Sequence, residues 1–225
     1  MKNYYSDHLA AERLQKCYDL ASPRIRRYLE AEVDFLLGHV GPGDLALDLG
    51  CGYGRIMRAL ARKAGLVIGI DTSFASLTLG KERLAGVSNF RLLQMNAASL
   101  GFREKSFDVV ACIQNGISAF GVDPRVLVQE SVRVAKRGGT VLLSTYAEKF
   151  WPERLAWFER QAEAGLLGEI DYSKTGDGVI ICKDGFRATT VGPAQFEELT
   201  AGLEARTQLV EVDESSLFCV INIGR

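Results

Sequence analysis

The chain has 225 residues, 47% of them hydrophobic and 24% charged, a balance that excludes wholesale disorder and can bury one sizeable core. A formal net charge of −1 argues against a protein that grips nucleic acid by neutralising phosphates. No apolar run reaches the roughly 18 residues of a membrane span, and the opening Met-Lys-Asn-Tyr-Tyr-Ser-Asp-His has no apolar stretch after it, so a cytoplasmic chain is expected.

Residues 1–40 read as a helical cap. Leu9, Leu14, Cys17, Tyr18 and Ala21 fall near one helical face, and Ser22-Pro23 offers an N-cap followed by proline at the first helical position. Ile25, Tyr28, Leu29, Val33, Leu36 and Leu37 continue with helical spacing to Gly38, and Gly41-Pro42-Gly43-Asp44 is a turn. Short apolar runs then alternate with amphipathic ones: strands are predicted at 45–49, 66–70, 90–94, 107–113 and 140–145. Helices are predicted at 56–64, 73–84 and from Asp123-Pro124 to about Ala135, with Gly138-Gly139 as the stop signal. That alternation implies a parallel sheet covered on both faces. Beyond it come a helix at 152–164, a hairpin of 179–182 with 186–191 about Lys183-Asp184-Gly185, and a helix at 193–201. Two strands at 207–212 and 217–223, joined by Asp213-Glu214-Ser215-Ser216, are expected to pair antiparallel at one edge. The whole of 1–225 reads as one α/β domain, with 147–192 inserted beside the strand ends.

The chemistry concentrates in Asp48-Leu49-Gly50-Cys51-Gly52-Tyr53-Gly54-Arg55, which leaves a buried strand and enters a helix, where α/β sheets bind nucleotide-like ligands. Its glycines let the backbone approach a ligand without a Cβ in the way. A dinucleotide fingerprint needs its third glycine where Arg55 stands, and a phosphate loop needs Gly-Lys-Ser/Thr, which is absent. Asp48 repels a pyrophosphate but suits an ammonium. Asp71 ends the next strand, where a carboxylate can accept both hydroxyls of a ribose. Cys17, Cys51, Cys112, Cys182 and Cys219 are scattered and never spaced C-x-x-C, and His8 and His39 supply too few further ligands, so neither a disulfide framework nor a metal site is expected.

The segment 47–54 resembles motif I of the class I S-adenosylmethionine-dependent methyltransferases. Ile68-Gly69-Ile70-Asp71 is similar to their second motif, Phe107-Asp108-Val109-Val110 to their fourth-strand motif, and the segment 133–142 to the run into their fifth strand. The resemblance covers about 33–145 and implies a Rossmann-like, seven-stranded, mostly parallel sheet with one antiparallel strand. It implies S-adenosylmethionine as cofactor, with Gly50 and Gly52 lining its methionine part and Asp71 on its ribose; Asp48, Cys51 and Gly54 are further cofactor-binding candidates. Where the family carries an acidic contact to the adenine amino group, this chain has Asn96 followed by Ala97, whose side-chain carbonyl and backbone N–H are the corresponding candidates.

On the acceptor side the resemblance points to the end of the fourth strand, here Gln114 and Asn115, with Gln114 also a cofactor candidate. Tyr146 is a further candidate, and Tyr4, Tyr5 and Tyr18 are expected to close over the reactive methyl. Arg24, Arg26 and Arg27 read as a solvated helix face, with one of them as an alternative partner for the cofactor carboxylate. No base announces itself except His8; methyl transfer by positioning alone needs none. The expected reaction is methylation of a small-molecule acceptor, with no membrane or nucleic-acid partner. A protein or RNA methyltransferase, or a non-catalytic protein that binds the cofactor on the same fold, stands as the alternative.

Overall fold

Helix α1 (Glu12–Asp19) and helix α2 (Pro23–Gly38) lead into the sheet of the computed structural model, which describes residue 4 and residues 8–224. Ser22 Oγ accepts from the Ile25 N–H at 3.2 Å, and Pro23 takes the first turn of α2. Ser22→Ala should lower stability by about 0.5–2 kcal/mol, read as a shifted denaturant midpoint at unchanged slope. An unmoved midpoint would mean that packing fixes this helix start without the cap.

The chain continues through β1 (Leu45–Leu49), α3 (Met57–Ala61), β2 (Leu66–Asp71), α4 (Phe74–Arg83), β3 (Phe90–Gln94) and β4 (Phe107–Cys112). Then come the short α5 (Gly116–Ala119), α6 (Pro124–Val134) and β5 (Ala135–Tyr146). A 3-10 turn at Glu148–Phe150 enters α7 (Trp151–Glu163), followed by β6 (Ile180–Ile181), β7 (Arg187–Ala188), α8 (Pro193–Thr200), β8 (Ala205–Val212) and β9 (Ser216–Ile223). Seven strands form one sheet in the order β3-β2-β1-β4-β5-β9-β8. Within that sheet β9 alone runs against its neighbours, antiparallel to both β5 and β8. This is the Rossmann-like, mostly parallel sheet expected from the sequence, and β6 pairs with β7 as the small separate hairpin.

Alternation along the strands sorts the core into two layers. Leu47 and Leu49 of β1 face α6 and α8 with Leu127, Val128 and Phe196, while Ala46 turns toward Leu36, Met57, Leu60 and Leu77. A third cluster joins the amino-terminal segment to the inserted one: Leu9 and Cys17 pack with Phe158, Ile180 and Phe186. All five cysteines are buried thiols. No helix among the described residues is long and apolar enough to cross a membrane.

Several boundaries differ from expectation. Helix α6 stops at Val134, and Gly138-Gly139 lie inside β5. The register between β4 and β5 slips between Phe107 and Val109, and a Cβ on Gly139 would stand 2.8 Å from the Asp108 carbonyl. The glycine pair is therefore a bulge pressed against β4, and the helix ends before it. Helix α3 covers only Met57–Ala61 of the predicted 56–64, and the hairpin strands shrink to two residues each.

Candidate functional site

The turn after β1 is strapped to the end of β2. The Gly50 and Cys51 N–H groups both donate to the Ile70 carbonyl at 2.9 Å, and the Gly52 N–H donates to Asp71 Oδ2 at 2.9 Å. Gly50 and Gly52 hold φ of 73° and 54°, the left-handed region that a side chain strains. Asp71 Oδ1 accepts from the Ser73 N–H at 2.8 Å, so the carboxylate is fixed at the mouth of α4 with lone pairs to spare. Gly50, Gly52, Asp71, Asn96 and Ala97 line one cavity of about 550 Å³ at the carboxyl ends of the strands. That volume and position suit a nucleoside-sized ligand.

Asp48 lies beneath this loop, 3% exposed, and its Oδ2 has no hydrogen-bond partner among the described residues. Burial pushes its carboxyl up to about 7, with Arg55 pulling the other way and the Asp71 charge adding to the rise. Burial also raises Asp71, against the backbone N–H groups of Ser73 and Gly52. A buried carboxylate with an unused oxygen is costly unless a cation or donor reaches it. The residues therefore fit S-adenosylmethionine: an orphaned acid for its ammonium, a loop with no Cβ at Gly50 or Gly52, and a second acid at the ribose position.

The far end of the cavity is aromatic. Tyr18, Tyr146, Trp157 and Phe158 line it together with Gln114 and Gln161. Trp157 Nε1 donates to the Cys17 carbonyl at 2.9 Å, which ties α7 to α1 over the site. Gln114 Oε1 accepts from Tyr18 Oη at 2.6 Å and from Arg55 Nη2 at 3.0 Å. The Arg55 guanidinium sits 5.1 Å from the Tyr18 ring centroid, so the residue that breaks the dinucleotide fingerprint holds the cap down instead. A second cavity of about 1,260 Å³ opens behind Tyr146, between α5 and the hairpin β6–β7.

Gln114 and Asn115 both adopt positive φ, 56° and 59°, at the end of β4. Backbone strain of this kind in non-glycine residues costs about 1–3 kcal/mol each and collects at functional turns. Ser144 of β5 holds the turn: its Oγ accepts from the Gln114 N–H at 2.7 Å and its carbonyl from the Asn115 N–H at 3.1 Å.

The structure brings Gly50, Gly52, Asp71, Asn96, Ala97, Gln114, Asn115 and Tyr146 to the first cavity and places Asp48 just under it. Cys51 and Gly54 are not on the wall. Cys51 points into the core against Gly69, and Gly54, at φ 81°, packs on Leu84 and Met57 as part of the turn. The Asn115 amide is spent on structure, donating to the Thr189 carbonyl at 2.8 Å and accepting from Thr145 Oγ1 at 2.9 Å. Asn96 Oδ1 already accepts from the Ala98 N–H at 2.9 Å. His8 is exposed, with its ring 4.7 Å from that of Tyr4, and is on neither cavity wall. Arg24 and Arg27 pair with Asp213 at 2.6 and 3.0 Å, which removes them as carboxylate holders. Tyr4 packs on Phe186 and its hydroxyl donates to Asp184 rather than facing the first cavity; Tyr5 lies outside the described residues.

Sequence reasoning missed Glu32. It is fully buried on α2, with Oε1 accepting from Ser144 Oγ at 2.6 Å and Ser216 Oγ at 2.9 Å. The signal was present: Ile25, Tyr28, Leu29, Glu32 and Leu36 share one face, and an acid on an apolar helical stripe marks a special environment.

Residues 47–143 match the family described as "Methyltransferase domain". A ubiquinone biosynthesis O-methyltransferase of Paracidovorax citrulli is 30% identical over 168 residues, covering 72% of this chain and 67% of the relative. A ubiquinone/menaquinone biosynthesis C-methyltransferase of Legionella pneumophila is 33% identical over 152 residues, 64% of this chain but only 59% of that relative's length. Among solved structures, protein PH0226 of Pyrococcus horikoshii superposes with a TM-score of 0.67 at 22% identity, over 99% of both chains. A geranyl diphosphate C-methyltransferase of Streptomyces coelicolor gives 0.61 at 17% identity, over 89% of this chain and 80% of that one. The glycine loop, the acid at the second strand end, the reversed strand β9 and these relatives together make the chain a member of the class I S-adenosylmethionine-dependent methyltransferases.

Proposed function

We propose that this protein transfers a methyl group from S-adenosylmethionine to a small-molecule acceptor held in the aromatic end of the first cavity. The observation that carries the reading is continuity: one cavity joins the glycine loop and Asp71 to Tyr146, Trp157 and Gln161. The tie from Trp157 to Cys17 roofs that space, which suits a small acceptor better than a protein or RNA strand. The bound cofactor supplies an electrophilic methyl on a sulfonium. The chain's own part is to bind, orient and exclude water. Asp48 takes the ammonium, Asp71 the ribose hydroxyls, and the Ala97 N–H with the Asn96 amide the adenine edge. Tyr18, locked by Gln114 and Arg55, covers the reacting atoms, and positioning of this kind can supply about 7–11 kcal/mol. The quinone-pathway relatives and the aromatic walls favour a phenol or hydroquinone as acceptor, methylated in the cytoplasm.

Calorimetry should show S-adenosylmethionine and its demethylated product binding, with NAD and NADP weaker. Incubation with catechols and hydroquinones should release S-adenosylhomocysteine. A dinucleotide that binds more tightly than S-adenosylmethionine would overturn the reading. Asp71→Ala should weaken cofactor binding by up to roughly a hundredfold, because hydrogen bonds to a charged acceptor are worth about 1.5–3 kcal/mol. Unchanged affinity in a chain that melts normally would remove Asp71 from the site.

A further inference from the structure

Methylation of a hydroxyl, an amine or an activated C–H releases a proton, yet the aromatic end of the first cavity presents no carboxylate or imidazole among the described residues. We propose that Glu32 is the terminal acceptor of that proton, reached through the hydroxyls of Tyr146 and Tyr28. This inference rests on the methyltransferase reading above.

Tyr146 reaches the walls of both cavities, and behind it the Tyr28 ring lies 5.3 Å away, centroid to centroid. Glu32 lies one helical turn on from Tyr28 along α2, and the Tyr28 hydroxyl influences the charge of both Tyr146 and Glu32. Tyr28 Oη and Glu32 Oε2 are both fully shielded and neither closes a hydrogen bond among the described residues. Glu32 Oε1, by contrast, is saturated by Ser144 and Ser216. A buried acid with one oxygen tied down and the other left without a partner, on the same helical face as a second unpartnered hydroxyl, calls for a role beyond packing. Catalytic contacts of this type are commonly long before substrate tightens them.

The groups around Glu32 set its charge. Arg55 from the glycine loop favours the carboxylate, and Asp48 of β1 lies beyond Cys112 of β4, which feels both acids. Tyr18 of α1 and Tyr146 of β5 complete the ring of ionisable neighbours, and these two are uncharged near neutrality. Burial is the largest influence and lifts Glu32 to about 7, against the hydrogen bond from Ser144 and the Arg55 charge. The Arg154 guanidinium, 4.6 Å from the Tyr146 ring centroid, favours negative charge on that hydroxyl while a proton leaves it.

The balance is simple. The acceptor's X–H pair stays on X and forms the new bond to the methyl carbon, while the sulfur–carbon pair stays on sulfur. The proton passes to Tyr146 Oη, whose own proton moves to Tyr28 Oη, whose proton in turn moves to Glu32 Oε2. Once product has left, the glutamic acid returns the proton through the same two hydroxyls to Tyr146, which opens on the cavities, so no oxidant, reductant or further reactant is required.

Glu32→Gln and Tyr28→Phe test the path, with catechol and dihydroxynaphthalene as acceptor probes. In the wild-type chain alone, an infrared carboxylic-acid band should titrate near pH 7, and Glu32→Gln should remove that component while Asp48→Asn leaves it. Turnover of the probes should rise with pH through about 7 in wild type, and both variants should lose roughly 10²–10⁴-fold and the rising limb, the usual worth of proton transfer. Cofactor affinity should stay within about twofold, since neither residue touches that end of the cavity. An infrared titration that Glu32→Gln leaves intact, or a turnover profile that both variants preserve, overturns the path. If wild type binds no S-adenosylmethionine, the methyltransferase reading falls and the path falls with it, whereas intact cofactor binding with unchanged pH profiles in both variants overturns the path alone.

Discussion

Gly50→Val is expected to remove cofactor binding while leaving a folded chain. At φ 73° a side chain at this position is strained by about 1–2 kcal/mol, which a domain of this size tolerates. Its Cβ would stand 2.4 Å from the Phe120 ring, and that ring end can swing aside, so the fold survives the collision. The cradle does not. The added methyls project toward the space where the loop must approach the ligand, and forcing them into a filled contact costs about 1–3 kcal/mol. Charged hydrogen bonds lost when the ligand is displaced add about 1.5–3 kcal/mol, so affinity should fall by roughly 10² to 10⁴. Phe120→Ala separates the two causes. It should restore nothing to Gly50→Val if the backbone approach matters, and should bind cofactor on its own. Calorimetry on the three variants decides, and a Gly50→Val chain with wild-type affinity would show that the loop does not hold the ligand.

The site was legible where its chemistry is local in sequence. A strand, three spaced glycines and an acid at the next strand end are encoded within 48–71, because the β1–β2 register itself brings Asp71 to the Gly52 N–H. The structural role of Asn115 was not legible, for the opposite reason. A polar residue ending an apolar strand looks like a ligand contact, but its amide is claimed by the Thr189 carbonyl, 74 residues away in sequence and in the inserted segment. The same holds for Gly138-Gly139, read as a helix stop because glycine is locally a breaker; the approach of the β4 backbone that demands them is long-range. Glu32 lay on an apolar helical face in plain view, and its meaning depended on Ser144, Ser216 and Tyr146 arriving from β5 and β9. Periodicity locates an element and its buried face. It does not say which polar partners the other elements deliver there.

Asp48 gives the other large effect, and there stability and binding move in opposite directions. An acid whose folded value is raised keeps its full stability below its unfolded value near 3.8 and loses it as pH rises through about 7. The wild-type chain should therefore weaken across that window by on the order of 4 kcal/mol from this group alone, at about 1.4 kcal/mol per pH unit. Asp48→Asn should flatten this part of the profile and be the more stable chain at pH 8. In the proposed binding mode the cofactor's ammonium reverses the balance, since the carboxylate that burial penalises becomes half of a buried ion pair. Binding must then expel the Asp48 proton below about pH 7, so affinity should rise with pH by up to tenfold per unit until that point. Above roughly 7.7–8.0 an ordinary α-amino group loses its own proton, so affinity should turn over there. Removing one partner of a buried pair costs about 3–5 kcal/mol, which puts the loss for Asp48→Asn at roughly 10²–10³ or more at neutral pH. Thermal melts and calorimetry across the same pH series read both effects. A variant that gains stability at high pH yet binds S-adenosylmethionine as wild type does, with the same slope, would place the ammonium elsewhere.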